Sequence, residues 1–341
     1  MKIERKILAI GLGLVCLLSC RSREGYVAIT GSAQGGMYSV KVNLEGVPYR
    51  PEKIKEGIDS IVTLVDTTLS GYNMGSELSR FNRGESTYLS DLFLDMYRVS
   101  REFWKETGGA LDVAMGPLFD EWGFGFSKGS LSSEEKVDSL LRICGMDLMP
   151  ENTEELRRDA ALGKQRGKLN FNAIAQGYTC DLVAEYLHSL GIKDMLVDIG
   201  EIYCEGSNPY GTGWNIAVDS PIDGNQVLGQ NTQGVWSGDG SPCGVVTSGN
   251  YRKFYIKDGK KFAHTIDPRS GYPVQHNLLS ATILAPDATT ADALATYCMV
   301  IGLEEAIAFI EGRDDLEAFL VYDKDGTMLS WASEGFSITL N

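Results

Sequence analysis

Basic residues are scarce in this sequence. Its 341 residues include 31 Lys and Arg against 46 Asp and Glu, which gives a formal net charge of −15 at pH 7. A protein that binds nucleic acid needs clustered Lys and Arg to replace the counterions around the phosphates. The composition therefore argues against a nucleic-acid partner. It also implies that any phosphate ligand is held locally, by a metal ion or by backbone amides.

Cysteine is sparse as well, and its spacing argues against two kinds of site. Beyond residue 20 the cysteines are Cys144, Cys180, Cys204, Cys243 and Cys298. Their number is odd, and no two of them form a CxxC pair. We therefore expect neither a zinc site nor a disulfide framework.

The N-terminal apolar run is too short for a comfortable membrane span. Lys2, Arg5 and Lys6 precede apolar residues from Ile7 to Leu18, which is the pattern of a signal peptide. The run ends in Leu17-Leu18-Ser19-Cys20, which resembles a bacterial lipobox. Lipidation of Cys20 would tether the mature protein to a membrane. The alternative is an ordinary secretory signal in which the cysteine occurs by chance.

This N-terminal pattern divides the chain into three parts. Residues 1–19 are the predicted lipoprotein signal peptide, and residues 20–25 are the lipidated cysteine with a short polar tether. Residues 26–341 contain no internal repeat and no linker that would split them. We therefore expect them to form one domain.

Helical and strand-like segments alternate along this domain. Helical patterns begin at Pro51, after Ser90, near Ala173, at Thr289 and after Gly302. Strand patterns lie at 27–44, 169–171, 195–199, 214–218, 245–247, 254–264 and 278–285, and the Gly-rich residues 221–241 are predicted to be a loop. Asp258-Gly259 and Asp325-Gly326 predict hairpin turns. This mixture favours an α+β fold: a single globular domain with mixed or antiparallel sheets and packed helices.

The helix predicted at Thr289 carries half of a candidate metal site. Asp292 and Thr296 are four residues apart, so their side chains lie on the same helical face. A carboxylate beside a hydroxyl suits Mg²⁺, which prefers oxygen ligands. The alternative is an ordinary first-turn Asp, favoured by the helix dipole.

Two further segments suit a nucleotide ligand. The first runs from Asn170 to Tyr178, where a predicted strand leads into a helix whose N-terminal amides can bind phosphate. It lacks the GxxxxGK[ST] pattern of a P-loop, and a plain strand-to-helix turn is the alternative. The second runs from Gly109 to Phe124, where small residues beside aromatics can form a slot for a flat ring. An Ω-loop packed on itself is the alternative there.

His264 is the best candidate for a general base among three histidines. It ends a predicted hairpin strand just before a Pro/Gly turn, a position from which a side chain can reach into a cleft. With an ordinary pKa of roughly 6.5, an imidazole can accept a proton near neutral pH. The alternative is a strand-end histidine that only makes a hydrogen bond.

Several motifs, in this order, resemble the ApbE family, the FAD:protein FMN transferases. They are Gln34-Gly35-Gly36-Met37-Tyr38; Ser70-Gly71-Tyr72 with Ser76-Glu77-Leu78-Ser79-Arg80-Phe81-Asn82; Gly109-Ala110-Leu111-Asp112 with Gly116-Pro117-Leu118 and Trp122-Gly123-Phe124; Ala173-Ile174-Ala175-Gln176-Gly177-Tyr178 with Asp181; Thr247-Ser248-Gly249-Asn250-Tyr251-Arg252; His264-Thr265-Ile266-Asp267-Pro268 with Gly271; and Ala291-Asp292-Ala293. Their joint order and spacing cover roughly residues 26–340.

The resemblance implies an activity and a set of site residues. Such enzymes use Mg²⁺, cleave the pyrophosphate of FAD and attach FMN to a Thr or Ser hydroxyl of an exported protein, releasing AMP. The implied metal ligands are Asp292, Thr296 and the backbone oxygen of Ala173, with Ala295 beside them. The implied FAD contacts are Gln34, Tyr72, Ala110, Leu111, Asp112, Asn170, Gln176 and Ile266.

The chain departs from the family pattern at three places. Gln34-Gly35-Gly36 stands where Met-Gly-Thr is usual, Asn170 stands where Asp is usual, and Gln176 stands where Lys is usual. The last change removes a positive charge expected near the phosphates. A neutral amide can still donate hydrogen bonds there, but it contributes less than a charged donor.

The resemblance also implies partners and a location. The acceptors would be exported proteins, such as subunits of Rnf-type or sodium-pumping NADH:quinone oxidoreductase complexes. The enzyme would lie in the cell envelope, lipid-anchored on the periplasmic side of a membrane in a Gram-negative bacterium. Two alternatives stay open: an FAD pyrophosphatase that uses water as acceptor, and a flavin-binding lipoprotein without turnover.

Overall fold

The fold is built around an eight-stranded antiparallel sheet. The computed structural model describes residues 25–126, 134–164, 167–223, 225, 229–251, 254–257 and 260–341. The strands are β1 (Tyr26–Ala33), β2 (Gly36–Asn43), β3 (Met195–Asp198), β4 (Ile202–Glu205), β5 (Asn215–Asp219), β6 (Thr232–Ser237), β7 (Cys243–Gly249), β8 (Phe254–Lys257), β9 (Lys260–Ala263), β10 (Ile266–Asp267), β11 (Tyr272–Pro273), β12 (Leu278–Ala285), β13 (Glu317–Lys324), β14 (Thr327–Ala332) and β15 (Ile338–Leu340). The large sheet has the order β1-β2-β3-β4-β7-β12-β13-β14, and all of its neighbouring strands are antiparallel.

The helices separate into long ones that cover the sheet and short ones in the connections. They are α1 (Pro51–Leu69), α2 (Glu77–Asn82), α3 (Asp91–Glu106), α4 (Gly116–Glu121), α5 (Glu134–Leu141), α6 (Thr153–Ala161), α7 (Ala175–Ser189), α8 (Ala288–Ile301) and α9 (Leu303–Glu311), and a 3₁₀ turn spans Met146–Leu148. In the described part of the chain, no helix has both the length and the apolar character needed to cross a bilayer.

The two faces of the large sheet are buried by different elements. Successive strand residues point to opposite faces, and β7 shows this clearly. Val246 packs into the core beneath α8, whereas Val245 packs on the other side with Trp214 and Trp236. That second side is covered by a three-stranded sheet in the order β15-β6-β5. Helices and strands therefore form layers around one central sheet, which confirms the α+β prediction.

Helix α8 is the central helix of the fold. It packs against β7, β12 and α7, and its residues from Ala291 to Ala295 are buried. Small side chains on this helix allow its neighbours to approach closely. Opposite it, a Cβ at Gly177 would lie only 2.1 Å from the backbone oxygen of Ala288, so glycine is required at this crossing of α7 and α8. The crossing brings the start of α7 next to Asp292.

Two sequence predictions about local structure were wrong. Residues 169–171 do not form a strand; the nearest pairing is a single bridge between Met115 and Lys168. The Asn82 side-chain amide bonds both the N–H and the C=O of Leu169, in place of a strand neighbour. Residues 221–241 are not all loop, because Thr232–Ser237 forms β6.

Most other element predictions were confirmed. The helices near Pro51, Ser90, Ala173, Thr289 and Gly302 are α1, α3, α7, α8 and α9. The Asp325-Gly326 turn joins β13 and β14, and β8 and β9 flank Asp258-Gly259, which lies outside the described residues. The signal peptide and Cys20 also lie outside them, so those two features stay predictions.

Candidate functional site

A buried carboxylate on α8 lies at the centre of the candidate site. Asp292 is 5% exposed, and its Oδ2 accepts a hydrogen bond from the backbone N–H of Gly177 at 3.0 Å. Burial raises the pKa of the Asp292 carboxyl well above its usual range, and the nearby Asp181 carboxylate adds to the increase. In the described part of the chain, no ion pair neutralises Asp292. A bound cation would provide the missing positive charge.

The start of α7 faces this carboxylate. The Asn170 side chain is buried, and its Oδ1 accepts from the N–H of Asn172 at 3.0 Å, which shapes the turn before the helix. Ala173 is half-buried within this turn. The backbone N–H groups in the first turn of a helix have no intrahelical partners and can bind anions. The turn therefore offers a potential phosphate site beside the Asp292 carboxylate.

The donor set around Asp292 fits a hard cation. Asp292 and Thr296 lie one turn apart on α8, and the Thr296 hydroxyl is 3.4 Å from the hydroxyl of Ser248 on β7. Ala295, which precedes Thr296 in the sequence, is buried. No cluster of three or more His, Cys, Asp or Glu side chains that could hold a metal occurs among the described residues. A cation here would instead bind one carboxylate together with hydroxyl and backbone oxygens, which suits Mg²⁺.

Asp181 fixes the position of α8 from the neighbouring helix. Its Oδ1 accepts from the N–H of Ala288 at 2.9 Å, and its Oδ2 accepts from the N–H of Thr289 at 2.8 Å and from the Thr289 hydroxyl. Burial raises the pKa of Asp181 to about 6. Asp287 is the N-cap itself and accepts from the N–H of Thr290 at 2.7 Å. Two carboxylates therefore hold the helix that carries Asp292.

Hydrogen bonds connect α8 to the segment that holds His264. Ser248 contacts Thr296, and Asn250 follows at the end of β7. The hydroxyl of Thr265 donates to Oδ1 of Asn250 at 2.9 Å. The half-buried ring of His264 packs edge-on against Phe124, with ring centroids 6.4 Å apart. The candidate base thus belongs to a segment that is hydrogen-bonded to Asn250, next to β7, and β7 contacts the face of α8 that carries Thr296.

Tyr72 lies close to the turn before α7. Its ring is 64% exposed and makes an edge contact with Phe126 at 5.0 Å. Nδ2 of Asn172 is 3.5 Å from the Tyr72 hydroxyl. An exposed aromatic face beside a potential phosphate site can stack on a flat ring of a nucleotide.

The predicted contacts at Ala110, Leu111, Asp112 and Ile266 are largely buried. Asp112 accepts from the N–H groups of Ala114 at 2.7 Å and Met146 at 2.9 Å, and burial raises the pKa of its carboxyl. These bonds tie the 110–115 loop to itself and to the 3₁₀ turn. Such a loop can shape a ligand site through its backbone, while its side chains hold the loop together.

Gln34 and Gln176 both use their amides near the first turns of α7. The Gln34 amide, in the β1–β2 turn, donates to the Thr179 hydroxyl at 2.6 Å. The Gln176 amide donates to the backbone oxygen of Ile199 at 3.1 Å. The structure therefore brings Gln34 and Gln176 to the first turns of α7, where Gly177 contacts Asp292, and it places Asn170 and Ala173 in the turn before this helix.

Several residues that build this site had no role predicted from the sequence. Asn172, Asp181 and Thr265 make the contacts described above, yet only long-range geometry shows their partners. Asp181 had two signals: it belongs to a motif that carries the family resemblance, and its spacing of four residues after Gly177 places both residues on the same side of α7. Phe126 lies two residues beyond the predicted Gly109–Phe124 slot.

The fold is that of solved flavin transferases. The flavin transferase ApbE from Vibrio cholerae has a TM-score of 0.77 and 29% identity, covering 91% of this chain and 98% of its own. The Pseudomonas stutzeri flavinyl transferase ApbE, in its apo form, also has a TM-score of 0.77 and 29% identity, covering 91% and 95%. A protein of Haemophilus influenzae named FAD:protein FMN transferase is 32% identical over 98% of this chain and 97% of its own length. The chain belongs to the ApbE family, whose sequence profile matches residues 35–320.

Proposed function

We propose that this protein is a Mg²⁺-dependent FAD:protein FMN transferase that attaches FMN to a Thr or Ser hydroxyl of an exported protein and releases AMP. The observation that carries the proposal is the buried Asp292 carboxylate, which lacks a cationic partner among the described residues and faces a helix N-terminus. Membership of the ApbE family supports the transferase class.

The residues around Asp292 would hold the cation. Asp292, Thr296 and the backbone oxygen of Ala173 provide oxygen ligands, with Ala295 beside them. When bound there, Mg²⁺ supplies positive charge that offsets the negative charge of the pyrophosphate and of the leaving AMP. The amides in the first turn of α7 would bind phosphate oxygens from the other side.

His264 would act on the acceptor hydroxyl. The hydroxyl oxygen forms a bond to the phosphorus of the FMN half of FAD, and the bond from that phosphorus to the oxygen of AMP breaks. His264 takes the hydroxyl proton, while Tyr72 and the 110–124 loop hold the flavin or the adenine ring. The Phe124 contact limits how the imidazole can turn, which keeps it oriented for this transfer.

The proposed location is the cell envelope, with a lipid anchor at Cys20 on the periplasmic side of a membrane in a Gram-negative bacterium. Exported flavin acceptors, such as subunits of Rnf-type or sodium-pumping NADH:quinone oxidoreductase complexes, are the proposed partners. The sequence pattern of residues 1–20 supports the anchor.

A flavin-transfer assay tests the proposal directly. The purified protein is mixed with FAD, Mg²⁺ and an acceptor domain, and the products are separated on a denaturing gel. A fluorescent flavin band on the acceptor, together with equimolar AMP, is the expected result. An acceptor with its target Thr changed to Ala gives the matched control. AMP formation at an unchanged rate without acceptor would identify a pyrophosphatase, and FAD binding without AMP would identify a flavin-binding protein.

A further inference from the structure

Two of the scattered cysteines are neighbours in the large sheet. Cys204 on β4 lies directly opposite Cys243 on β7 in an antiparallel pair. Residues opposite each other in such a pair have Cα atoms about 4.5 or 5.5 Å apart and side chains on the same face. Both spacings fall within the range of roughly 4.4–6.8 Å that a disulfide requires. The two sulfur atoms are not bonded to each other in the structure.

The position of this pair in the chain gives it a structural consequence. The chain leaves the large sheet after Glu205, the residue that follows Cys204, and returns to the sheet at Cys243. The residues between them include β5 and β6, two strands of the sheet that covers this face. Cys204 and Cys243 both lie in the core beneath that covering sheet. A disulfide between Cys204 and Cys243 would close a loop that consists of residues 205–242.

The other described cysteines offer no comparable pair. Cys144 follows α5, Cys180 is on α7, and Cys298 is on α8, whereas Cys204 and Cys243 are strand residues in direct register. Among the described cysteines, Cys204 and Cys243 are therefore the two that strand pairing places opposite each other.

We propose that Cys204 and Cys243 form a disulfide when the exported chain folds. The inference uses the exported location proposed above, but it does not depend on the chemistry of flavin transfer. The oxidant is a disulfide donor, either glutathione disulfide or the disulfide of an envelope oxidoreductase. The Cys243 thiolate attacks one donor sulfur, and the Cys204 thiolate then displaces the donor from the mixed disulfide. Two electrons and two protons leave the protein with the two donor thiols.

Burial determines when this reaction can occur. Burial raises the pKa of the Cys243 thiol to about 12, and it raises the pKa of the Cys204 thiol further above its usual range. Thiolates are therefore rare in the folded reduced protein, and exchange there is slow. Oxidation is expected before the three-stranded sheet covers the pair. Cys243, the more exposed of the two, is expected to react first.

Thiol mapping of the wild-type protein tests the inference. The full chain is unfolded, refolded in a buffer of reduced and oxidised glutathione, quenched with an alkylating reagent and digested. The expected product is a peptide pair linked through Cys204 and Cys243, with every other unmodified cysteine alkylated, Cys144, Cys180 and Cys298 among them. Full alkylation of Cys204 and Cys243, or linkage of either one to another cysteine, would overturn the proposal. The wild-type chain suffices for this measurement, so a misfolded variant cannot obscure it.

Stability measurements give a second readout. The oxidised protein should melt roughly 5 °C above the reduced protein, because the bond closes a long loop. Cys204→Ser and Cys243→Ser should lose this response to reductant, whereas the control Cys180→Ser should keep it. An equal response in all three variants would also overturn the proposal. A linked pair in a protein without transferase activity would refute the proposed function and leave this inference standing.

Discussion

Asp292 is the residue on which the candidate metal site depends. Asn at this position keeps an oxygen that can accept the Gly177 N–H, but it removes the buried charge. We expect Asp292→Asn to reduce flavin transfer by about 100-fold or more, because the proposed cation site would lose the one carboxylate that the described residues give it. Without divalent cations, the same variant should melt at a higher temperature than the wild type, because the buried Asp292 carboxyl must either take up a proton on folding or stay charged without a cation, and both cost free energy.

The effect of Mg²⁺ on melting separates this prediction from a general loss of structure. Mg²⁺ should raise the melting temperature of the wild type, because a ligand that binds only the folded state stabilises it. It should not change the melting temperature of Asp292→Asn. Asp138→Asn, which removes a charge from an exposed position on α5, is the control and should respond like the wild type. An equal Mg²⁺ response in Asp292→Asn would contradict the assignment.

Gln176 occupies a position where the resemblance to the ApbE family implies Lys. Its amide donates to the Ile199 oxygen and packs against Gly200, so it provides no charge near the α7 turn. We expect Gln176→Lys to lower the FAD concentration for half-maximal rate by roughly three- to tenfold, because a charged donor binds phosphate more strongly. The measurement is FAD-dependent kinetics, with Gln176→Met as the uncharged control of similar length. Equal values for the Lys and Met variants would mean that charge at this position does not matter.

At the scale of elements, the position of α8 depends on Asp181. Asp181→Ala would leave the N–H groups of Ala288 and Thr289 without their acceptor, at a cost of about 2–4 kcal/mol in the free energy of unfolding. We expect both the melting temperature and the apparent affinity for Mg²⁺ to fall, because α8 carries Asp292 and Thr296. Thermal melts and Mg²⁺ titrations of activity measure the two effects.

A matched substitution in the same turn tests whether position or stability causes the loss. Asp287→Ala removes the ordinary N-cap of α8, which costs about 1 kcal/mol. It should lower the melting temperature but leave the Mg²⁺ dependence close to that of the wild type. If Asp181→Ala and Asp287→Ala shift the Mg²⁺ dependence equally, Asp181 has no particular role in placing the site.

Elements that depend on local signals were predictable, and those that depend on distant partners were not. Helices α1, α3, α7, α8 and α9 have apolar spacing that is visible in the sequence. Strand β6 lies in a polar, Gly-rich stretch and exists because β5 and the C-terminal β15 pair with it. The Cys204–Cys243 pair likewise follows from strand register, which cysteine spacing alone does not reveal.

At the scale of the whole molecule, the site is assembled from segments that are far apart in sequence. Asp292 and Thr296 could be placed on one helical face from their spacing alone. The turn before α7 lies near that face because α7 and α8 cross at Gly177. The sequence pattern does not reveal this crossing. The resemblance to a family supplied the grouping of Gln34, Tyr72 and Ile266. The sequence predicted individual candidate site residues from their chemical type and spacing. The fold was needed to show which of these residues are neighbours.

The stability of the whole protein should depend on pH through Asp181. Its folded-state pKa of about 6 exceeds the ordinary value, so between roughly pH 4 and 6 the folded state keeps a proton that the unfolded state has lost. Stability therefore falls as pH rises through this window, by at most about 3 kcal/mol, and by less where water reaches the half-buried carboxylate. We expect the melting temperature of Asp181→Asn, relative to wild type, to increase from pH 4.5 to 7. A constant difference would contradict the raised pKa.

His276 should produce a pH dependence of opposite sign. Its Nε2 lies 2.9 Å from the backbone oxygen of Met299 near the end of α8, and burial lowers the pKa of its imidazole. Below roughly pH 6.5 the unfolded state binds a proton that the folded state resists, so stability is lost as pH falls from that value toward the lower folded-state pKa. We expect the melting temperature of His276→Gln, relative to wild type, to increase as pH falls from 7.5 to 5.5. Because Asp181→Asn should change in the opposite direction over the acidic range, melting both variants in one buffer series separates the two groups. A parallel pH response of the two variants would show that a general effect of net charge, and not these two buried groups, controls the stability of the fold.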